Sequence, residues 1–194
     1  MSYVSFVISV IKDFKTKHSM ENVQLEKQAK LSEHFTLGEM TKTSTGMMNI
    51  PSRVSIENMK RVCGWLEALR ARYNLRYVSP SSDHPAHPGT PPNLGGEKDT
   101  EEPIIISSGY RSPEVNRKVG GSATSNHLTG CAVDIRVYGI EQALRYAVIL
   151  IDYADETRQD YDELLIERNR SGRYWVHFAV RPKDNRRRTS FIMA

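Results

Sequence analysis

The stretch that most constrains this chain is SNHLTGCAVDIRV, residues 125–137. A polar turn carrying a histidine ends at Gly130 and passes at once into an alternating strand. Side chains alternate across a strand, so Cys131, Val133, Ile135 and Val137 share one apolar face. That face requires a hydrophobic layer beneath it. Ala132, Asp134 and Arg136 share the other face, which sets an acid beside a small alanine. Gly130 permits a tight turn, so His127 can fold back over the strand toward Asp134. A plain turn into a strand would account for the glycine alone. An imidazole and a carboxylate brought together in this way are two of the three protein ligands of a catalytic zinc site.

The third ligand has to come from elsewhere, and YWVHFA near the C-terminus offers His177. Trp175, His177 and Ala179 share one strand face, and Tyr174, Val176, Phe178 and Val180 share the other. Again a ligand type sits beside a small residue, opposite the apolar face. His127, Asp134 and His177 would hold one Zn2+ per chain and leave a fourth position for water, as hydrolysis requires.

The remaining segments supply a compact setting. Leu31–Gly46 reads as a loop plus a short helix, with Ser32 or Thr36 as cap and Glu39 at capping-box spacing from Thr36. Residues 49–74 form the clearest helix. Met59, Val62, Cys63, Leu66, Leu69 and Tyr73 recur at three- and four-residue spacing, and Ser52 or Ser55 is the N-cap. Residues 78–103 then carry six of the nine prolines and three of the twelve glycines, which no packed element survives. His84 and His87 lie in that insertion and read as exposed rather than as ligands. A β-branched strand at 104–107 follows, then a turn at Gly109 and a short helix with Ser112 as cap and Pro113 at its first position, ended by Gly120 and Gly121. A helix over 139–154 is apolar at Ala143, Leu144, Ala147, Val148 and Ile151. Two strands, YDELLIE and RYWVHFAV, are joined by the hairpin signal RNRSG. This order predicts an α+β domain with a small, largely antiparallel sheet flanked by helices.

The 194 residues suit one domain, read as a peripheral segment 1–30, a working domain 31–180 and a basic tail 181–194. The apolar stretch Val4–Ile11 reads as an amphipathic helix. It lacks a basic leader before it and a small-residue cleavage site after it, so neither a signal peptide nor a transmembrane segment is expected. Cys63 and Cys131 form no framework and read as buried thiols of a chain made in the cytoplasm. The net charge of +4 favours polyanionic partners, with much of the excess in RPKDNRRR, read as a solvated tail. A nucleic-acid binder would rest on that charge alone, and no specific nucleic acid is expected as partner.

The segments ISSGYRSPEVNRKVGGSATSNHLTGCAVD and WVH, with LSEHFTLGEM before them, resemble the zinc D-alanyl-D-alanine carboxypeptidase family and its phage endolysin relatives. The resemblance spans roughly residues 31–180. It implies the hedgehog/DD-peptidase fold, a mononuclear zinc at His127, Asp134 and His177, and cleavage of amide bonds in peptidoglycan stem peptides; a monomer is expected. It assigns Arg111 to substrate binding, as a bidentate anchor for a carboxylate or carbonyl. Ser125, Asn126 and Trp175 are further candidates for orienting or contacting substrate. Several relatives carry an acidic general base three positions before the last histidine, where this chain has Tyr174, a phenol with pKa of about 10. Glu167 replaces it if it pairs opposite Trp175, since a one-residue slip would turn it to the other face. Asp162 and Glu163 are the runners-up. The alternative is a non-catalytic zinc-binding module of the same fold, in a phage particle or envelope complex. Action on the cell wall or periplasm would follow phage-mediated release.

Overall fold

A computed structural model describes residues 27–78 and 101–193. The expected N-terminal amphipathic helix and most of the proline-rich insertion, with His84 and His87, lie outside the described residues. The helices are α1 (Leu37–Met40), α2 (Arg53–Tyr73, continued by one π-helical turn Asn74–Val78), α3 (Pro113–Lys118) and α4 (Ile140–Thr157). The strands are β1 (Ile106–Ser108), β2 (Ala132–Arg136), β3 (Glu163–Arg168), β4 (Tyr174–Ala179) and β5 (Arg188–Met193). They form one largely antiparallel sheet in the order β1-β2-β4-β3-β5, which bears out the α+β expectation. β3 and β4 are antiparallel, with Leu165 opposite His177 and Glu167 opposite Trp175. β5 runs parallel to β3.

By contact pattern the described residues fall into two compact units. One takes Ile106–Val133 with the chain up to Cys63, and the other takes Gly64–Ile105 with the chain from Asp134 onward. The dividing lines run inside α2 and inside β2. In the first unit, Thr36 caps α1 through the full capping box with Glu39, and Ser112 caps α3 with Pro113 in its first turn. Ser52 Oγ accepts the Ser55 N–H at the start of α2. Phe35, Met40, Met59, Val62, Val115, Cys131 and Val133 are buried. In the second unit, Trp65 packs edge-on against Tyr153 at 4.9 Å and beside Phe178 at 5.3 Å between ring centroids. α4 packs on β3 and β4, whose Leu164, Ile166, Val176 and Phe178 are buried beneath it.

Three expectations need correction. The first strand is Ile106–Ser108, not 104–107, although the Ile105 carbonyl already accepts the Arg136 N–H. On α4 the buried stripe is Ala143, Tyr146, Ala147, Leu150 and Ala154, while Leu144 and Val148 are about half exposed. Tyr146 lies inward with its hydroxyl accepting a hydrogen bond from Gln142, so its polar end is satisfied in the core. The basic run is no solvated tail. Arg186 grips Asp162 through Nε at 2.9 Å and Nη2 at 2.7 Å, and Arg181 adds a 2.8 Å contact. Asp162 is fully buried, and a buried carboxylate needs such partners to stay charged. The arginines therefore tie the segment down, and β5 follows from it.

Gly130 fixes how the chain enters β2. Its φ is +74°, and a Cβ there would lie 2.5 Å from the Ser55 carbonyl oxygen. Gly130→Ala is expected to cost about 2 kcal/mol or more, from the left-handed backbone and the clash together. A thermal midpoint unchanged from the parent chain would contradict this account.

Candidate metal centre

β2 and the turn that feeds it set two of the three ligand candidates. Asn126–Thr129 form a 3-10 turn, with Ser125 Oγ accepting the His127 N–H at 3.3 Å and Gly130 closing it. His127 is buried at 2% exposure, and its Nδ1 lies 2.6 Å from the Gly109 carbonyl oxygen. A carbonyl can only accept, so Nδ1 carries the proton and Nε2 is the nitrogen with a lone pair for a metal. Gly109 is needed where it stands, because a Cβ would come within 2.3 Å of the Met40 carbonyl oxygen. Its close approach there puts its own carbonyl against the imidazole.

Asp134 lies on the face of β2 opposite Val133 and Ile135, and it too is buried. Its Oδ1 stands 2.9 Å from Nδ1 of His177, which β4 presents between Trp175 and Ala179. One ligand atom each from His127, Asp134 and His177 lies within 4.8 Å of the others. Ligands at about 2.0–2.1 Å from a tetrahedral zinc stand about 3.3 Å apart, so these atoms need only small side-chain shifts to share an ion. Two imidazoles and one carboxylate, buried and with one tautomer already set by the backbone, suit zinc. The predicted ligand set is thus brought together in space.

Burial disfavours the charged form of His177, but hydrogen bonding to Asp134 and Glu163 and the charges of Asp134 and Glu167 outweigh it and push the group up to about 9. In the metal-free chain His177 is therefore an imidazolium at neutral pH. A folded value of about 9 lies above the ordinary 6.5, so the associated stability is fully present below pH 6.5 and is lost as pH rises through 9. For a chelator-treated sample we expect a loss on the order of 3 kcal/mol across that window. It would be read from thermal midpoints at pH 6 and pH 9.5. A midpoint that rises over this interval would contradict the assignment.

The other candidates stand as follows. Arg111 is half-buried, its N–H donates to the His127 carbonyl at 3.1 Å, and its Nε donates to Ser108 Oγ at 2.8 Å. Asn49, missed in the sequence, holds both neighbours of Arg111: its Nδ2 donates to the Tyr110 carbonyl and its Oδ1 accepts the Ser112 N–H. No periodic pattern marks a loop asparagine of this kind. Ser125 is engaged as the cap of the His127 turn, and the Asn126 carbonyl accepts the Cys131 N–H. Trp175 is half-buried on the same strand face as His177. Glu167 occupies the register that its proposed role requires, opposite Trp175 and on the His177 face. Glu163 shares that face, with Oε2 3.6 Å from His177 Nε2. Asp162 is turned to the arginines instead. Tyr174 points to the opposite face of β4, beside Phe191 and under the Arg168 guanidinium.

A family model described as Peptidase M15 matches residues 96–155. The match takes in Arg111, His127 and Asp134 and ends before β3. It supports a metallopeptidase, and His127, Asp134 and His177 form a group that could hold a metal ion. Comparison with curated proteins found no match. Among the described residues no helix is long and apolar enough to cross a membrane.

Proposed function

We propose that this chain is a zinc peptidase hydrolysing amide bonds in peptidoglycan stem peptides, as a D-Ala-D-Ala carboxypeptidase or an endolysin-like endopeptidase. The observation that carries the reading is the buried His127, Asp134 and His177 cluster, two members of which lie in the segment matched to Peptidase M15. The three side chains would hold one zinc, His127 through Nε2, His177 through Nδ1 and Asp134 through its carboxylate. Zinc in such a set supplies Lewis acidity and brings a water to a pKa of about 7. Glu167, on the face of His177, accepts the proton of the attacking water and delivers it to the leaving amine. Arg111 anchors a substrate carboxylate, for which a planar guanidinium is better suited than an ammonium. Its N–H donates to the His127 carbonyl and Asn49 holds the residues on either side of it, so the anchor is tied to the turn that carries a candidate metal ligand. The net positive charge favours an anionic wall polymer as substrate, and action at the wall or periplasm follows from that substrate.

The test is digestion of purified peptidoglycan with and without a chelator, with products read by mass spectrometry. Chelator-sensitive loss of one terminal alanine means a carboxypeptidase. Release of cross-linked or whole stem peptides means an endopeptidase. Bound zinc without any cleavage would sink the enzymatic reading in favour of a binding module.

A further inference from the structure

We infer that Glu163 is a positioning residue for His177, held in place by Arg186 and Arg188 near the start of the C-terminal strand. The inference rests on the zinc reading above and goes beyond it, because it joins the segment 181–193 to the metal centre. The two nitrogens of His177 face two different carboxylates. Nδ1 faces Asp134 at 2.9 Å and Nε2 faces Glu163 at 3.6 Å. Asp134 is itself a ligand candidate, so Nδ1 is on the metal side and Nε2 is the outer nitrogen. A metal-bound histidine commonly gives its outer N–H to a carboxylate, which fixes the ring and strengthens it as a ligand.

The two oxygens of Glu163 are divided in the same sense. Oε1 takes Arg186 Nη2 at 2.9 Å and Arg188 Nη1 at 3.2 Å, and Oε2 is the oxygen turned to His177. Arg188 stands opposite Glu163 in the β3–β5 register, and Arg186 is fixed by its two-nitrogen grip on Asp162. Asp162, Arg186, Glu163 and His177 thus form a continuous line of charge from a fully buried anchor to a metal ligand. The side chain of Glu163 is only 14% exposed, so water does little to loosen the arrangement. The arginines orient the carboxylate, and the carboxylate orients the imidazole.

The experiment is zinc affinity of the full chain by competition with a chromophoric chelator, with the fold followed by far-ultraviolet circular dichroism. Glu163→Leu is expected to weaken zinc binding by about 10–100-fold. Glu163→Gln keeps an acceptor and should stay within about threefold of the parent, a rescue that a purely structural role would not give. Arg186→Gln combined with Arg188→Gln leaves Glu163 intact but unanchored, and about tenfold weaker binding is expected. The double variant decides the matter if Glu163→Leu does not fold. Parent-like affinity in a folded Glu163→Leu chain, or in the double variant, overturns the inference alone. No zinc binding by the parent chain overturns the zinc reading itself, and the inference with it.

Discussion

Asp134→Ala is expected to leave the chain without stoichiometric zinc and to remove its hydrolytic activity. The carboxylate is buried on a strand paired on both sides, which fixes its place beside His177. Its Oδ1 meets Nδ1 of His177, so its loss takes away one ligand and the group that orients a second. The binding free energy of a structural zinc is roughly 10–16 kcal/mol over four ligands, so one ligand corresponds to about 3 kcal/mol, or on the order of a hundredfold in affinity. Hydrolysis that depends on the bound ion should fall further, by three orders of magnitude or more, on the order of 4 kcal/mol in barrier. Atomic absorption on the dialysed protein and the rate of peptidoglycan digestion read the two quantities. A variant that keeps one zinc per chain and a rate within about tenfold of the parent would refute the ligand assignment.

Glu167→Gln is expected to separate catalysis from metal binding. The amide keeps the size and most of the hydrogen bonding of the carboxylate but cannot accept a proton at neutral pH. Loss of a general base costs about 10²–10⁴-fold in kcat, while zinc content should remain that of the parent. The register supports this choice: Glu167 stands opposite Trp175 and on the face of His177, one diagonal step away. Tyr174→Phe supplies the contrast. Tyr174 lies on the other face of β4, so removal of its hydroxyl should change the rate less than about twofold. If Tyr174→Phe lost activity and Glu167→Gln kept it, the base would lie on the other side of the strand. Equal activity in both variants would point to the other acids on the His177 face.

Much of this centre is legible in the sequence, because its parts obey local rules. The alternation of β2 separates Asp134 from Val133 and Ile135, and the same rule separates His177 from Val176 and Phe178. Thr36 with Glu39, and Ser112 with Pro113, mark helix starts by side-chain chemistry that acts over three or four residues. The long helix is visible from its repeating apolar positions, all six of which are buried. Local rules fail where a choice depends on a distant partner. Of the apolar positions expected on the last long helix, Ala143 and Ala147 are buried, yet Leu144 and Val148 are half exposed and Tyr146, Leu150 and Ala154 take the inner face instead.

Asn49 and Glu163 show the same limit. Each is an ordinary polar residue in sequence, and each gains its place from contacts with residues far along the chain. The arginine run shows it most clearly. With five basic residues to the single acid Asp184, it reads as a solvated end. Asp162 opposes it only once β3 is in the sheet, and burial then makes the pairing obligatory. The sequence by itself determined the fold class, the faces of β2 and β4, and which three side chains have the chemistry of zinc ligands. Only the tertiary structure decided the β3–β4 register that sets Glu167, the tautomer of His127 and the partners of His177. The physical reason is range: propensity, capping and alternation act within a few residues, whereas register and buried charge pairing are settled by packing between strands.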